Sequence, residues 1–401
     1  MTGMPSLRNL YRIGTGPSSS HTMAPARAAS IFKARWPSAD RFRVTLMGSL
    51  AATGRGHLTD RAIREALAPS PVEFLWRPEM VPAFHPNGMH FEAFTPEGRE
   101  LGLWHCYSTG GGALREQGDT EPEPVVYALS TMHDLLRWVE TGGQPVWSYV
   151  EECEDDRIWD WLGEIQATMG AAIDRGLDRE GTLPGELHLA RKARSYLLKA
   201  RAQHPSRQKA GLVAAYALAV SEENAAGGVV ATAPTCGACG VVPAVLRYLE
   251  QRDSIREPEL LRALAVAGLF GNVVKRNASI SGAEVGCQGE IGTACAMAAA
   301  AAAYLLGGTM PQIEYAAEMG LEHHLGLTCD PVLGLVQIPC IERNAFAATR
   351  AIDCAEYALL SDGRHRISFD QVVETMRLTG KDLPSLYRET STGGLAHVYD
   401  R

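Results

Sequence analysis

Cys287, Cys329 and Cys340 stand in VGCQGE, LTCDPV and IPCIER, among glycines, prolines and polar residues rather than inside apolar runs. The thiolate is the form of cysteine that binds metal. Three thiolates without a fourth have a specific use. A four-iron cluster takes four ligands, usually Cys, and three protein ligands leave one metal open to water or substrate. An open iron is a Lewis acid that can hold a hydroxyl or carboxylate and help hydroxide leave. The alternative, on spacing alone, is three unrelated small core residues.

Two histidines lie in equally suggestive surroundings. GTGPSSSHTMAPARAA (14–29) crowds Ser18, Ser19, Ser20 and Thr22 around His21 at the start of an Ala-rich helix, a setting that suits an anion such as a carboxylate. MGSLAATGRGHLTDRA (47–62) carries a strand into a Gly-rich loop that presents His57, with Asp60 at the next helix start. Histidine is the side chain most readily poised as a base near neutral pH. The plainer readings are a capped helix beside a solvated Ser run and a loop His beside a cap. STGGGAL (108–114) is a further hydroxyl and glycine cluster, or simply a loop leaving a strand. HPNGMH, with His85 and His90, reads as a turn between strands. Cys236-Gly-Ala-Cys239 is a CxxC with no second copy to complete a zinc site, so a structural use is favoured over a redox or metal half-site.

These residues need elements to hold them. ADRFRVTLMGSLA, PVEFLW, MHFEAFT and ELGLWHCYS read as strands, and RAASIFKARW and TDRAIREALA as helices, the latter capped by Thr59 or Asp60. The polar, two-proline stretch 113–124 predicts a linker closing an α+β domain over 1–124. From 125 to 401 the periodicity is helical: VVYALSTMHDLLRWVET, SYVEECEDDRIWDWLGEIQATMGAAIDRGL, GLVAAYALAVSEENAAG, PELLRALAVAGLFGNVVKRN and PCIERNAFAATRAIDCAEYALL. The predicted fold class is thus an α+β N-terminal domain followed by a large, mostly α-helical domain. Its Gly-rich interruptions suit backbone that turns closely around something bound.

The 401 residues carry 46 % apolar and 21 % charged side chains and a formal charge of −8. No basic patch offers a nucleic-acid footprint. The N-terminus has no apolar export segment, and the longest apolar run, ACAMAAAAAAYLL (294–306), is short for a bilayer span and reads as a buried helix. We expect a cytoplasmic protein that binds neither nucleic acid nor membrane, with its nine cysteines free of disulfides.

In order along nearly the whole chain, GPSSSHTMAPARAA, GSLAATGRGHLTDRA, HPNGM, YSTGGGAL, ENAAGGVVATAPT, NASISGAEVGCQGEIG, GLEHHLGLTCDPVLGLVQIPCIERNA and ETSTGGLA resemble the bacterial iron–sulfur L-serine dehydratases. The cysteine intervals of 42 and 11 residues match that family's cluster ligands. The resemblance implies that Cys287, Cys329 and Cys340 hold a [4Fe-4S] cluster whose fourth iron faces substrate. It implies elimination of water from serine, with aminoacrylate passing to the imine and then to pyruvate and ammonia. His57 is the first candidate for the proton transfer and His21 the second. Ser18, Ser20, Thr22, Ser108 and the loop Gly110, Gly111 and Gly112 are candidates to hold the carboxylate and ammonium, with Lys275, Asn277 and Ser279 reaching the same pocket. A small-molecule amino-acid substrate and a homodimer are expected.

Two departures stand out. The family's TAPTNGAAG is here Thr235-Cys236-Gly237-Ala238-Cys239-Gly240, which loses an amide and gains two thiols near the expected cluster. Some relatives also end in a cysteine that caps the open iron, whereas GGLAHVYDR has none, leaving water, His397 or substrate as ligand and implying lability to air. The competing readings are the same chemistry on threonine, cysteine or a modified serine, and a non-catalytic cluster-bearing homologue. A pyridoxal phosphate enzyme lacks its lysine context.

Overall fold

The computed structural model describes residues 3–116 and 123–399, so 117–122 of the predicted linker lie outside the described residues. Seven strands are described: β1 (Ile13–Thr15), β2 (Arg41–Met47), β3 (Val72–Arg77), β4 (Gly88–Phe94), β5 (Glu100–Ser108), β6 (Leu114–Glu116) and β7 (Val229–Ala231). Five of them form one sheet in the order β3-β2-β4-β5-β6. β2 and β3 run parallel and the other neighbours antiparallel. A parallel pair needs a crossover, and the helix Thr59–Leu67 supplies it between β2 and β3. That helix and Ala24–Arg35 bury Phe32, Ile63 and Leu67 against Phe42, Val44, Leu46 and Phe91 of the sheet.

The start of the Thr59–Leu67 helix differs from the expected cap. Leu58, with φ 56°, precedes it and no side chain caps it. Thr59 Oγ1 instead donates to the His21 carbonyl (2.6 Å), and Asp60 pairs with Arg64 (2.8 Å). The hydroxyl that could have closed the helix is used to anchor the SSSHT segment.

Beyond residue 125 the chain is helical apart from β7 among the described residues. At its centre lies Thr293–Leu305, the Ala-rich run, with every residue from Thr293 to Ala303 buried. Small side chains let neighbours approach closely, and Val241–Asp253, Glu257–Asn277, Met310–Glu322 and Cys340–Leu359 all pack on it. No helix among the described residues is long and apolar enough to cross a membrane. The predicted continuous helix after residue 148 is two, Ser148–Cys153 and Ile158–Asp178. They part at Glu154, which accepts from Leu7 N–H (2.7 Å), Ser6 Oγ (2.8 Å) and Tyr127 OH (2.7 Å).

Those bonds belong to an N-terminal arm that packs on the helical part rather than on the sheet. Met4, Leu7, Leu10 and Tyr11 are fully buried in the helical core. Tyr11 OH donates to Leu264 O (2.9 Å), and Asn272 Nδ2 to Pro5 O (2.8 Å). β1 pairs antiparallel with β7, and Asn224 Nδ2 donates to Pro17 O (2.8 Å). The arm therefore delivers Ser18–Thr22 to the surface of the helical body before the chain enters the sheet.

Candidate active site

The three cysteines come together from separate segments. Cys287 precedes the π-helical turn Gln288–Gly292 that runs into Thr293–Leu305. Cys340 is the first residue of Cys340–Leu359, whose N-cap Pro339 makes no side-chain cap bond. A helix N-terminus offers free N–H groups and positive potential to a thiolate. Cys329 lies in a loop held by the C-terminal segment: its N–H donates to Tyr387 O (2.8 Å) and its carbonyl accepts from Thr390 N–H (3.1 Å). Burial pushes all three thiols upward; Cys287 and Cys340 each raise Cys329 further, and Arg343 partly offsets the effect at Cys287 and Cys340. Arg343, one turn into the Cys340 helix, is fixed by donation to Thr328 O (2.7 Å).

This donor set fits an iron–sulfur cluster. Among the described residues no group of His, Cys, Asp or Glu converges on a point where one metal ion could sit. A cluster instead gives its cysteines separate irons, so they need only surround it. Three thiols in a dry, mutually repelling setting are costly as thiolates until a cationic metal group joins them. The backbone also comes close to the thiol there: a Cβ at Gly282 would stand 3.2 Å from Cys329 Sγ and 2.9 Å from Glu290 Oε2. All nine cysteines are free thiols.

Glu290 sits between the thiols and the CxxC. Its Oε1 accepts from Thr235 Oγ1 (2.8 Å) and its Oε2 lies 3.7 Å from Cys329 Sγ. Burial, then the charge of Glu389, pushes it up to about 7. Cys236 and Cys239 are buried, and the Cys236 thiol points to Met23 Sδ (3.6 Å).

The histidines form a second group within electrostatic reach of the first. His21 Nδ1 lies 2.8 Å from Ser20 Oγ and 3.1 Å from Glu389 Oε1, and its Nε2 lies 3.2 Å from Ser49 Oγ. Burial favours a neutral Glu389 carboxyl, but His21, His57 and the Ser20 hydroxyl overcome it and hold the group down at about 2. Glu389 is therefore ionised. His57 stacks at a tilt on His21, with ring centroids 4.5 Å apart. Its Nδ1 is 3.0 Å from Thr53 O, so that nitrogen carries the proton and Nε2 is the acceptor. Burial and the neighbouring His21 bring His57 down to about 3.

A cavity of about 670 Å³ opens beside this group, and Ser49, Ser279, Lys381, Arg388 and Glu389 are among its lining residues. The expected site residues divide around it. Ser20 joins the His21–Glu389 group, and Ser18 Oγ accepts from His21 N–H (3.0 Å) and lies 3.3 Å from Ser20 Oγ. Ser279 lines the cavity and donates to Glu284 Oε2. Ser108 is fully buried with its hydroxyl unpartnered. Gly110 and Gly111 bring their loop against Ser281 and Ile280, a few residues before Cys287, and Gly111 O accepts from Arg12 Nη1 (2.7 Å).

Three residues are engaged elsewhere. Thr22 Oγ1 donates to His57 O (2.7 Å), which fixes the histidine loop and leaves the hydroxyl no proton for a ligand. Asn277 Nδ2 is spent on Ser130 O (2.7 Å) and Val273 O (3.0 Å). Lys275 Nζ pairs with Glu123 (3.1 Å) in an adjoining cavity of about 400 Å³ that shares Ser279 and Glu284 with the first. His397 is exposed on the terminal helix Gly394–Tyr399.

The residue reading missed Glu389, Glu290, Ser49 and Arg343. It also took HPNGMH for a turn alone. His85 is in fact buried, accepts Asn87 N–H at Nδ1 (3.1 Å) and aims Nε2 at Glu284 (3.7 Å), while Asn87 is fully buried with its amide unpartnered. A buried polar motif of this kind was detectable only as a cluster of side chains too polar for an ordinary strand connection.

Residues 6–75 match the family described as serine dehydratase beta chain, and residues 61–396 the family described as serine dehydratase alpha chain. The chain is 42 % identical to an L-serine dehydratase of Streptomyces coelicolor, with 98 % of each covered. It is 41 % identical to an L-serine dehydratase of Mycobacterium bovis over 98 % of this chain and 97 % of the relative. L-serine dehydratase 1 of Escherichia coli is 40 % identical over 98 % of this chain and 99 % of its own. With its beta-chain and alpha-chain regions joined in one polypeptide, the chain belongs to the serine dehydratase family.

Proposed function

We propose that the chain is an L-serine ammonia-lyase that converts L-serine to pyruvate and ammonia by α,β-elimination, and that Cys287, Cys329 and Cys340 hold a [4Fe-4S] cluster. The observation that carries the reading is the nearness of Cys329 to Cys287, Cys340 and Glu389, the last of which pairs with His21 and lines the 670 Å³ cavity. The family's named relatives supply the substrate. When bound, the cluster provides a Lewis-acidic iron for the departing hydroxyl.

The chain's own residues handle the proton. His57 has Nδ1–H committed to Thr53 O, which leaves Nε2 as the ring atom able to accept a proton and makes it our candidate for the Cα proton. The positive charge gained there lies beside the carboxylate of Glu389, which already opposes the downward pull of burial on His57. Glu389 also fixes the orientation of His21 through Nδ1, and Ser49 fixes it through Nε2. Such fixed, water-poor charges stabilise a developing cation more than solvent would. The resulting aminoacrylate tautomerises and hydrolyses after the Cβ–O bond has broken. The protein is proposed to act in the cytoplasm, as a homodimer.

The test is pyruvate formation from L-serine by anaerobically reconstituted protein of known iron content, with an air-exposed aliquot alongside. Pyruvate that depends on iron and declines on aeration supports the reading. Absence of pyruvate from protein carrying four irons rejects serine and moves the search to threonine, cysteine and modified serines.

A further inference from the structure

The elimination needs the α-carboxylate and α-ammonium held as well as the hydroxyl, and the hydroxyls first considered for this are largely spent within the fold. Two adjacent residues of the C-terminal segment are not. Arg388 Nε and Glu389 Oε2 are both buried and both without a hydrogen-bond partner. Both residues line the 670 Å³ cavity. Successive side chains of extended backbone point to opposite faces. Here Glu389 has φ 45°, a conformation unusual for a residue with a Cβ, and that turn lets neighbours share one cavity.

The rest of each side chain is pinned. Arg388 Nη1 donates to Glu284 O (3.2 Å), and Glu389 Oε1 is taken by Ser20 and His21. Lys381 lines the same cavity and adds positive charge. A buried, oriented cation donor next to a buried, oriented anion acceptor is the complement of a zwitterion, and each is costly while unpaired.

We infer that Arg388 and Glu389 form a clamp for α-amino acids, Arg388 Nε binding the α-carboxylate and Glu389 Oε2 the α-ammonium. The inference rests on the proposed lyase reading for the substrate class, but it is read by binding. The experiment is calorimetric titration of reconstituted wild-type protein, Arg388→Gln, Arg388→Lys and Glu389→Gln with L-serine, with ethanolamine (no carboxylate) and with 3-hydroxypropionate (no ammonium). Arg388→Gln should weaken L-serine on the order of 30-fold or more while leaving ethanolamine unchanged, and Arg388→Lys should recover part of the loss. Glu389→Gln should weaken L-serine and leave 3-hydroxypropionate unchanged. An Arg388→Gln protein that keeps the wild-type ratio of L-serine to ethanolamine affinity overturns the clamp, as does equal weakening of both ligands. L-Serine bound through Arg388 without pyruvate formation would reject the lyase reading and leave the clamp standing.

Discussion

Glu389 Oε1 lies 3.1 Å from His21 Nδ1, so the last segment of the chain closes a site begun by the first histidine. The carboxylate orients that ring and lends its charge to His57. Glu389→Gln keeps the shape and removes the charge. We expect kcat to fall by about 10²-fold or more, because the negative charge beside the His21–His57 pair is lost, with iron content unchanged. Iron analysis alongside kcat separates this from a general loss of structure.

His57→Ala should likewise lose roughly 10²-fold or more of turnover while retaining iron. Because burial holds His57 down at about 3, its protonation does not set an acid limb of kcat/KM between pH 5 and 8. A wild-type limb in that interval that vanishes in His57→Ala would contradict the assignment, and retained turnover would move the base to His21.

Much of this was legible in the sequence because it is local. The strands alternate, the Ala-rich run is too uniformly apolar to be anything but buried, and the cysteines sit in polar, Gly-flanked turns. What could not be read is what depends on long-range approach. Glu389 is an ordinary residue in ETSTGGLA until the backbone pairing of Tyr387 and Thr390 with Cys329 brings it to His21. Thr22 and Asn277 looked available because sequence shows a donor but not whether the fold uses it. The N-terminal arm could not be assigned to the helical core because a short run such as Leu7, Leu10 and Tyr11 carries no mark of the surface it will meet.

Substitution of Cys287, Cys329 or Cys340 by Ser should each lower bound iron and abolish turnover. Cys236→Ala and Cys239→Ala should retain iron. Their thiols are fully packed, and Cys236 turns toward Met23. The cost there is that of a small core truncation, about 1 kcal/mol. Loss of iron from either CxxC variant would make that motif part of the metal site.

Gly394→Ala tests the tie between the C-terminal segment and the cysteine loop. Gly394 has φ 56°, and a Cβ there would fall 1.8 Å from Asp330 Oδ2, the atom that accepts Leu395 N–H (2.8 Å). Asp330 follows Cys329 directly. The clash and strained backbone should cost at least about 1–3 kcal/mol locally. We expect faster amide exchange over 387–396 and weaker iron retention, with the five-stranded sheet unaffected.

Glu318 gives a pH dependence away from the site. It is 3 % exposed on the helix Met310–Glu322. Burial, then Glu322 and Glu314, pushes it from 4.5 up to about 8. The folded state therefore binds this proton more tightly than the unfolded chain. The associated stability is fully present below about pH 4.5 and is lost as pH rises through about 8. Glu318→Gln should match wild-type stability near pH 5 and exceed it at pH 9, by a few kcal/mol at most. His57 contributes with the opposite sign, its effect being lost as pH falls from 6.5 toward about 3. The difference between variant and wild type isolates the Glu318 contribution, and Tm measured at pH 5, 7 and 9 reads it directly. A Tm difference that does not grow with pH would mean that Glu318 is already ionised in the folded protein, with water or a neighbouring side chain solvating its charge.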